Sequence, residues 1–323
     1  MALLTSVVTA TATATATADP ESSGGGEVAF DRFKGVFPSH IKCIAVLTPA
    51  SIPNEDRMRL GVKMLEEAGI KVKVMPNTYA KAPKGKKSIP LPKRLGDFVA
   101  AWNDPEVDMI LPTRGGSGAQ DIPPKVDWEA LKKRNVILMG FSNITCLTGP
   151  MLSQGAGHPI QGPNLGRLIS CDAASLRHLK AVLRKKTPAR VKLKTLRGGD
   201  ISGKVYAGHM SLLLQVQQSP FKVDTAGRVI FIECVRRQEP ELKRTFNALY
   251  KLGFFDKCAG VVFCHFTRNF PDEKAKLRFF REMTDKLTCP VYYGYPYGHE
   301  TSIRALDFSS TAEIKDGTLT FKF

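Results

Sequence analysis

The distribution of apolar residues along the chain divides it into short runs separated by amphipathic stretches. Ile44 to Leu47 is a brief apolar run stopped by Thr48 and Pro49, and it reads as the first strand. Met58, Val62 and Leu65 then recur at helical spacing; Asn54, Glu55 and Asp56 suit the start of that helix and Gly69 its end. Val72 to Met75 predicts a strand, Leu95 to Trp102 a helix, Val107 to Leu111 a strand, Trp128 to Lys133 a helix and Val136 to Met139 a strand. Alternating strands and helices specify a parallel sheet covered on both faces. After a Gly/Pro-rich segment, Gly155 to Gly166, a linker region leads into a second α/β unit near Leu196. There Val205 to Gln217 mixes a glycine turn with a helix. Val229 to Ile232, Gly260 to Phe263 and Val291 to Tyr293 read as strands, and Glu241 to Leu252 as a helix. The expected organisation is a low-complexity, disordered leader (1–40), an N-terminal domain (41–166), a linker (167–195) and a C-terminal domain (196–323).

Composition is consistent with this picture. At 323 residues, 43% hydrophobic and 24% charged, the chain can bury one large or two medium cores, which excludes global disorder and a polytopic membrane protein. The net charge of +17 is unevenly placed. Residues 1–30 hold three acids and no Lys or Arg, leaving 47 cations against 27 acids, or +20, in the remainder. Six cations and no acid lie between Lys81 and Arg94, and nine cations and no acid between Arg177 and Arg197. Both stretches are broken by Pro or Gly and read mainly as surface loop or linker, with a short helix around Ala181 to Arg184. Each is either a solvated face or, if it flanks a cleft, an attractor for an anionic substrate.

The seven cysteines form an odd set with no C-x-x-C and no zinc spacing to a His, so reduced, buried thiols are expected. The start, Met1 to Ala18, is apolar and then alternates Ala and Thr. A-x-A patterns are present, but a basic n-region is missing, which favours a low-complexity leader and a cytoplasmic chain over an exported one with a signal peptide. No later run is long and apolar enough to span a bilayer.

In an open α/β sheet the chemistry collects at the carboxyl ends of the strands. Four polar signatures stand there: Arg114-Gly115-Gly116-Ser117-Gly118, Gly140-Phe141-Ser142-Asn143, Glu233 after Val229 to Ile232, and Gly298-His299 after Val291 to Tyr293. A strand, a sharp turn through Ser142 and a helix opening at Ile144 would expose the hydroxyl and aim the amide of Asn143 at a developing oxyanion. The last glycine of G-x-S-x-G is replaced by Ile144, and a serine here also suits a helix N-cap. Glu233 could equally be a solvated sheet-edge acid, and His299 a hydrogen-bonded loop residue. Together Ser142, Glu233 and His299 fit the roles of nucleophile, orienting acid and base. The glycine run is either a tight turn or a place where backbone amides approach a ligand; neither a P-loop nor a dinucleotide fingerprint is present.

These residues and their order carry a resemblance. Thr48-Pro49-Ala50-Ser51, Arg114-Gly115-Gly116-x-Gly118, Gly140-Phe141-Ser142-Asn143-Ile144-Thr145 and Gly162-Pro163 are followed by Gly208-His209-Met210-Ser211-Leu212-Leu213, Ile230-Phe231-Ile232-Glu233 and Gly294-Tyr295-Pro296-Tyr297-Gly298-His299. From about Ile41 onward the chain resembles the LD-carboxypeptidase family, which includes the microcin C immunity proteins. The resemblance implies an N-terminal parallel-sheet α/β/α domain with a nucleophile elbow plus a C-terminal mixed α/β domain, with the active site between them. It implies a serine peptidase that removes a terminal D-amino acid from murein tetrapeptides without metal or cofactor, often as a homodimer. Carried over, Ser142 is the nucleophile, His299 the base, Glu233 its orienting acid, the amides of Gly115 and Asn143 the oxyanion donors, and Arg114, Gly116 and His209 substrate contacts.

The chain departs from the family pattern around this set. Asn143 replaces an Asp, Ala207-Gly208-His209 replaces Gly-Gly-Asn, Cys264 replaces a Gly, and Gln161 replaces a His before Gly162-Pro163; the Pro and Gly that follow the His loop are replaced around Asp307 to Ser310. Beside the murein peptidase stand two other readings: an immunity-like amidase for peptidyl or aminoacyl nucleotides, and a non-catalytic binding protein on the same scaffold. Nucleic acid is the least favoured partner.

Overall fold

The computed structural model describes residues 30–323. The alternating period of the first strand sets the architecture. Along β1 (Cys43–Leu47), Cys43, Ala45 and Leu47 face one core and Ile44 and Val46 the other, and every residue of the strand is buried. Such a strand needs cover on both faces. It lies between β2 (Lys71–Val74) and β3 (Met109–Pro112), with β4 (Ile137–Gly140) and β5 (His158–Gln161) beyond, all parallel. On one face α1 (Glu55–Glu67) packs Met58, Met64 and Leu65; on the other, α2 (Leu91–Asn103) packs Phe98, Ala101 and Trp102. Asn54 caps α1 through its side chain, accepting from the amide of Arg57 at 2.9 Å.

The segment expected as a basic linker is ordered. After α3 (Trp128–Leu131), α4 (Thr145–Gln154) and α5 (Leu165–Leu168), residues 173–183 form α6 (Ala173–Leu183), which buries Leu176, Leu179, Val182 and Leu183. The cations that make this stretch look like loop occupy its outer face. Arg184 is bound to the carbonyls of Gly35, Val36 and Phe37 at 3.1, 2.6 and 3.2 Å. The same contact corrects the expected extent of the leader, because Phe33, Val36 and Phe37 are buried and residues 30–40 belong to the folded body. The expectations for residues 1–29 lie outside the described residues.

The second sheet begins with β6 (Val191–Lys192) and β7 (Lys194–Arg197), also inside the expected linker and its boundary, and they lie at opposite edges of an eight-stranded sheet. Its centre is parallel: β8 (Ile201–His209), β9 (Arg228–Val235), β10 (Gly260–Thr267) and β11 (Val291–Tyr293). Strand β8 escapes the sequence reading because Gly203, Lys204 and Gly208 interrupt its apolar run. Helices α7 (Met210–Gln217), α8 (Glu239–Lys251) and α9 (Glu273–Thr284) cover this unit. The chain then crosses back: β12 (Leu306–Asp307) joins the first sheet antiparallel to β5, before the hairpin β13 (Thr311–Lys315) and β14 (Thr318–Lys322) completes the second. Among the described residues no helix is long and apolar enough to cross a membrane.

A buried histidine fastens this return. The Nε2 of His178, on α6, lies 2.9 Å from the carbonyl of Ala305. Burial pushes its pKa down to about 4, the positive charge of Arg304 adding to that and the hydrogen bond only partly opposing it. Because the unfolded chain binds a proton near pH 6.5 and the folded one does not, the stability from this neutral histidine is full above about pH 6.5 and declines as pH falls towards 4. Changing His178→Gln should remove on the order of 3 kcal/mol of that decline. Urea midpoints at pH 7 and pH 4.5 measure it; a pH dependence equal to that of the parent chain would contradict the assignment.

Candidate active site

The cleft lies over the carboxyl ends of β3 and β4, beside the switch point between the ends of β1 and β3 at which open α/β sheets bind ligands. The two ends are joined: Thr48 Oγ1 lies 2.9 Å from Thr113 Oγ1, and the amide of Ser51 donates to Gly115 O at 3.2 Å. Arg94, inside the first basic run, is buried and donates to Ile89 O, Pro49 O and Gly118 O and to the Asp121 carboxylate, so it braces the glycine loop from beneath.

Strand β4 ends at Gly140, and the chain turns at Ser142 with φ 60°, a left-handed conformation that non-glycine residues avoid. A single 3-10 turn (Ser142–Ile144) then leads into α4. The strained turn lifts the hydroxyl out of the sheet, the geometry of a nucleophile elbow and not of an N-cap. Gly115 stands against it: a Cβ there would lie 2.8 Å from Ser142 Cβ and 3.2 Å from the backbone nitrogen of Asn143. Asn143 is fixed through both ends of its amide, accepting from the Ala119 amide at 2.9 Å and donating to Gln120 Oε1 at 3.2 Å. An Asp could make only the first of these bonds.

From the second sheet come Glu233, in β9, and His299, in the loop after β11. His299 Nε2 lies 3.1 Å from Ser142 Oγ, and its Nδ1 lies 2.8 Å from Glu233 Oε2. The His299 ring tilts against Phe141 at 4.9 Å between centroids. Glu233 has no exposure to water, and burial, the largest influence, raises its pKa. The neighbouring His299, with smaller effects from His209 and His265, outweighs burial and holds the carboxyl below its ordinary value. Glu233 is therefore a buried, ionised acceptor, and the alternative of a solvated edge acid is ruled out.

His209, opposite Glu233 in the β8–β9 register, is buried, and burial pushes its pKa down to about 4, so it is neutral at pH 7. Its Nδ1 lies 3.0 Å from Ser211 Oγ and its Nε2 3.6 Å from Cys234 Sγ. Gln161 bridges the two halves, donating to Thr148 Oγ1 at 2.6 Å and accepting from Tyr297 Oη at 2.7 Å.

These groups open into a cleft of about 930 Å³ that places Ser142, His299, Arg114, Gly115, Gly116 and His209 together. Five further cations line it: Lys87, Arg167, Arg236, Arg237 and Arg268, against the acids Asp172 and Glu300. Of the fifteen cations in the two basic runs, only Lys87 reaches the cleft, so the runs do not flank it. Arg236 and Arg268 immediately follow β9 and β10 and both adopt left-handed backbone, φ 52° and 56°. The strand-end rule that singled out Glu233 reaches these arginines too once β9 and β10 are drawn to their full lengths. Among the described residues no group of three or more His, Cys, Asp or Glu side chains is placed to hold a metal.

The loop carrying His299 depends on Gly298, at φ 136°, where a Cβ would lie 3.1 Å from both Glu233 Cβ and Oε2. Replacing Gly298→Ala should displace His299 and abolish the low-field NMR resonance of a histidine N–H held by a carboxylate. Gly96→Ala, at a helical position where a Cβ would meet nothing within 4 Å, should leave it in place. A resonance that persists in Gly298→Ala would show that the pair does not need this close approach.

The chain is similar to known proteins in both sequence and fold. The LD-carboxypeptidase N-terminal domain family matches residues 44–160 and the LD-carboxypeptidase C-terminal domain family residues 202–314. The chain is 26% identical over 295 residues to a probable murein peptide carboxypeptidase of Bacillus subtilis (strain 168), covering 82% of this chain and 89% of that protein. It is 22% identical over 293 residues to the microcin C7 self-immunity protein MccF of Escherichia coli, covering 78% and 83%. The fold is similar to a crystal structure of muramoyltetrapeptide carboxypeptidase from Oxalobacter formigenes, with a TM-score of 0.76, 18% identity, and coverage of 87% of this chain and 98% of that one. The chain thus belongs to the LD-carboxypeptidase family of peptidases.

Proposed function

We propose that the chain is a serine carboxypeptidase that hydrolyses an L-to-D amide bond and releases a terminal D-amino acid from a murein-type peptide through an acyl-enzyme. The observation that carries this reading is the continuous relay Ser142 Oγ, His299, Glu233, at 3.1 and 2.8 Å. In it His299 Nε2 takes the Ser142 proton as Oγ attacks the scissile carbonyl, while Glu233 fixes the Nδ1–H tautomer and balances the imidazolium. The backbone amides of Gly115 and Asn143 receive the oxyanion, an interaction worth about 3 kcal/mol per donor in other hydrolases. The imidazolium then protonates the leaving amine, and water, deprotonated by the same His299, releases the peptide acid.

The excess of cations around Ser142 favours substrates with negative charge close to the scissile bond, either the terminal carboxylate of a peptide or the phosphate of a peptidyl nucleotide. An immunity-like amidase for the latter is therefore the second reading. A purely binding role accounts for the cleft but not for the buried, ionised partner of His299.

The direct test is Ser142→Ala, which should reduce D-alanine release from a murein tetrapeptide by roughly 10⁴-fold or more with an unchanged circular dichroism spectrum. Retained release would remove Ser142 as nucleophile. Hydrolysis of an aminoacyl sulfamoyl adenosine or peptidyl nucleotide, measured beside the tetrapeptide, separates the two substrate readings. Changing Lys87→Gln together with Arg268→Gln should lower kcat/KM at low salt, with the deficit shrinking as ionic strength rises. A deficit independent of salt would indicate direct contact in place of long-range attraction.

A further inference from the structure

Two of the seven thiols differ from the rest. Cys258 and Cys289 precede the adjacent parallel strands β10 and β11, whose register pairs Val261 with Val291, and their sulfurs are 3.5 Å apart. A disulfide of about 2.05 Å needs these sulfurs to approach by only roughly 1.5 Å. They are also the most exposed thiols, at 8% and 9%, against 4% or less for the other five. The thiol of Cys258 donates towards Cys289, and this hydrogen bond, aided by the charge of Arg197, lowers the pKa of Cys289 against the opposing effect of burial. Burial instead raises the thiols of Cys43, Cys146, Cys171, Cys234 and Cys264. At 3.5 Å, either sulfur is placed to resolve a mixed disulfide formed on the other.

We infer that Cys258 and Cys289 form a redox modification site, which a small disulfide converts into an intramolecular cross-link between the bases of β10 and β11. One of the two thiolates attacks one sulfur of the small disulfide, breaking its S–S bond, forming a mixed disulfide and releasing one small thiolate. The second cysteine gives its proton to solvent and attacks the first cysteine's sulfur, which breaks the mixed bond, forms the Cys258–Cys289 bond and releases the second small thiolate. The two protein sulfurs are oxidised and the small disulfide takes up the electron pair, leaving as two thiols after protonation. The closed loop contains all of β10 and α9, and its closure ties down β11, the strand that leads to His299.

The full chain is incubated with bis(2-hydroxyethyl) disulfide, denatured in acid, alkylated and mapped by mass spectrometry. The expected product has lost two hydrogens, retains five alkylatable thiols and yields a peptide joining Cys258 to Cys289. Its Tm should rise by roughly 5 °C or more and return on treatment with dithiothreitol. Cys258→Ser and Cys289→Ser should each yield no intramolecular link and stop at a mixed disulfide on the remaining member of the pair. Seven thiols remaining after exposure, a link between any other pair, a mixed disulfide that persists in the unsubstituted chain, or a cross-link that leaves Tm unchanged would overturn the inference.

Discussion

A carboxylate taken wholly out of water keeps its charge only where hydrogen-bond donors or cations meet it, and the cleft is built around one such group, Glu233. Its partner is His299, at 2.8 Å, and His299 in turn reaches Ser142, the elbow residue held with left-handed backbone. The flanking His209 carries no charge at neutral pH, burial having pushed it down to about 4. The negative charge of Glu233 is therefore directed at His299, the ring whose other nitrogen lies 3.1 Å from Ser142 Oγ. An acid at the same place but exposed would be screened and would steer the imidazole only weakly.

This constraint joins two sheets. Ser142 is set by β4, while Glu233 and His299 are set by β9 and by the loop after β11, so the relay exists only when the two units are in register. The register is fixed by buried polar contacts that cross between them: Tyr297 to Gln161, His178 to Ala305, and β12 paired with β5. The Gln161 that replaces a family histidine is thus part of the joint, and Asp307, beyond the loop that carries His299, lies 2.8 Å from His158 at the far end of β5. Several departures from the family pattern surround the reacting groups without breaking their line. Asn143, which binds the glycine turn through both ends of its amide, is the plainest case.

Much of this was legible in the sequence. Strands β1, β3, β4, β9 and β11 are apolar runs, and the rule that chemistry collects at strand ends singled out Ser142, Glu233 and His299 before any contact was known. What stayed hidden has physical reasons. Strand β8 carries two glycines and a lysine, because its backbone packs closely against neighbours and not because it is a turn. Helix α6 reads as a basic linker because its outward face is cationic, while Leu176, Leu179 and Val182 face the core. Charge counting located the two basic runs, but charge along the chain says little about charge in space: Arg94 and Arg184 bind backbone carbonyls, and four of the six cleft cations, Arg114, Arg236, Arg237 and Arg268, follow strand ends outside both runs.

The relay is tested most directly by the reactivity of Ser142 itself, which requires no knowledge of the substrate. A fluorophosphonate probe, followed by peptide mapping, measures the labelling rate at this position in the parent chain, in His299→Gln and in Glu233→Gln. An activated hydroxyl predicts rapid labelling confined to Ser142, loss of labelling in His299→Gln, and a rate lowered by several orders of magnitude in Glu233→Gln. Equal labelling in all three proteins, or a label on another serine, would contradict the account.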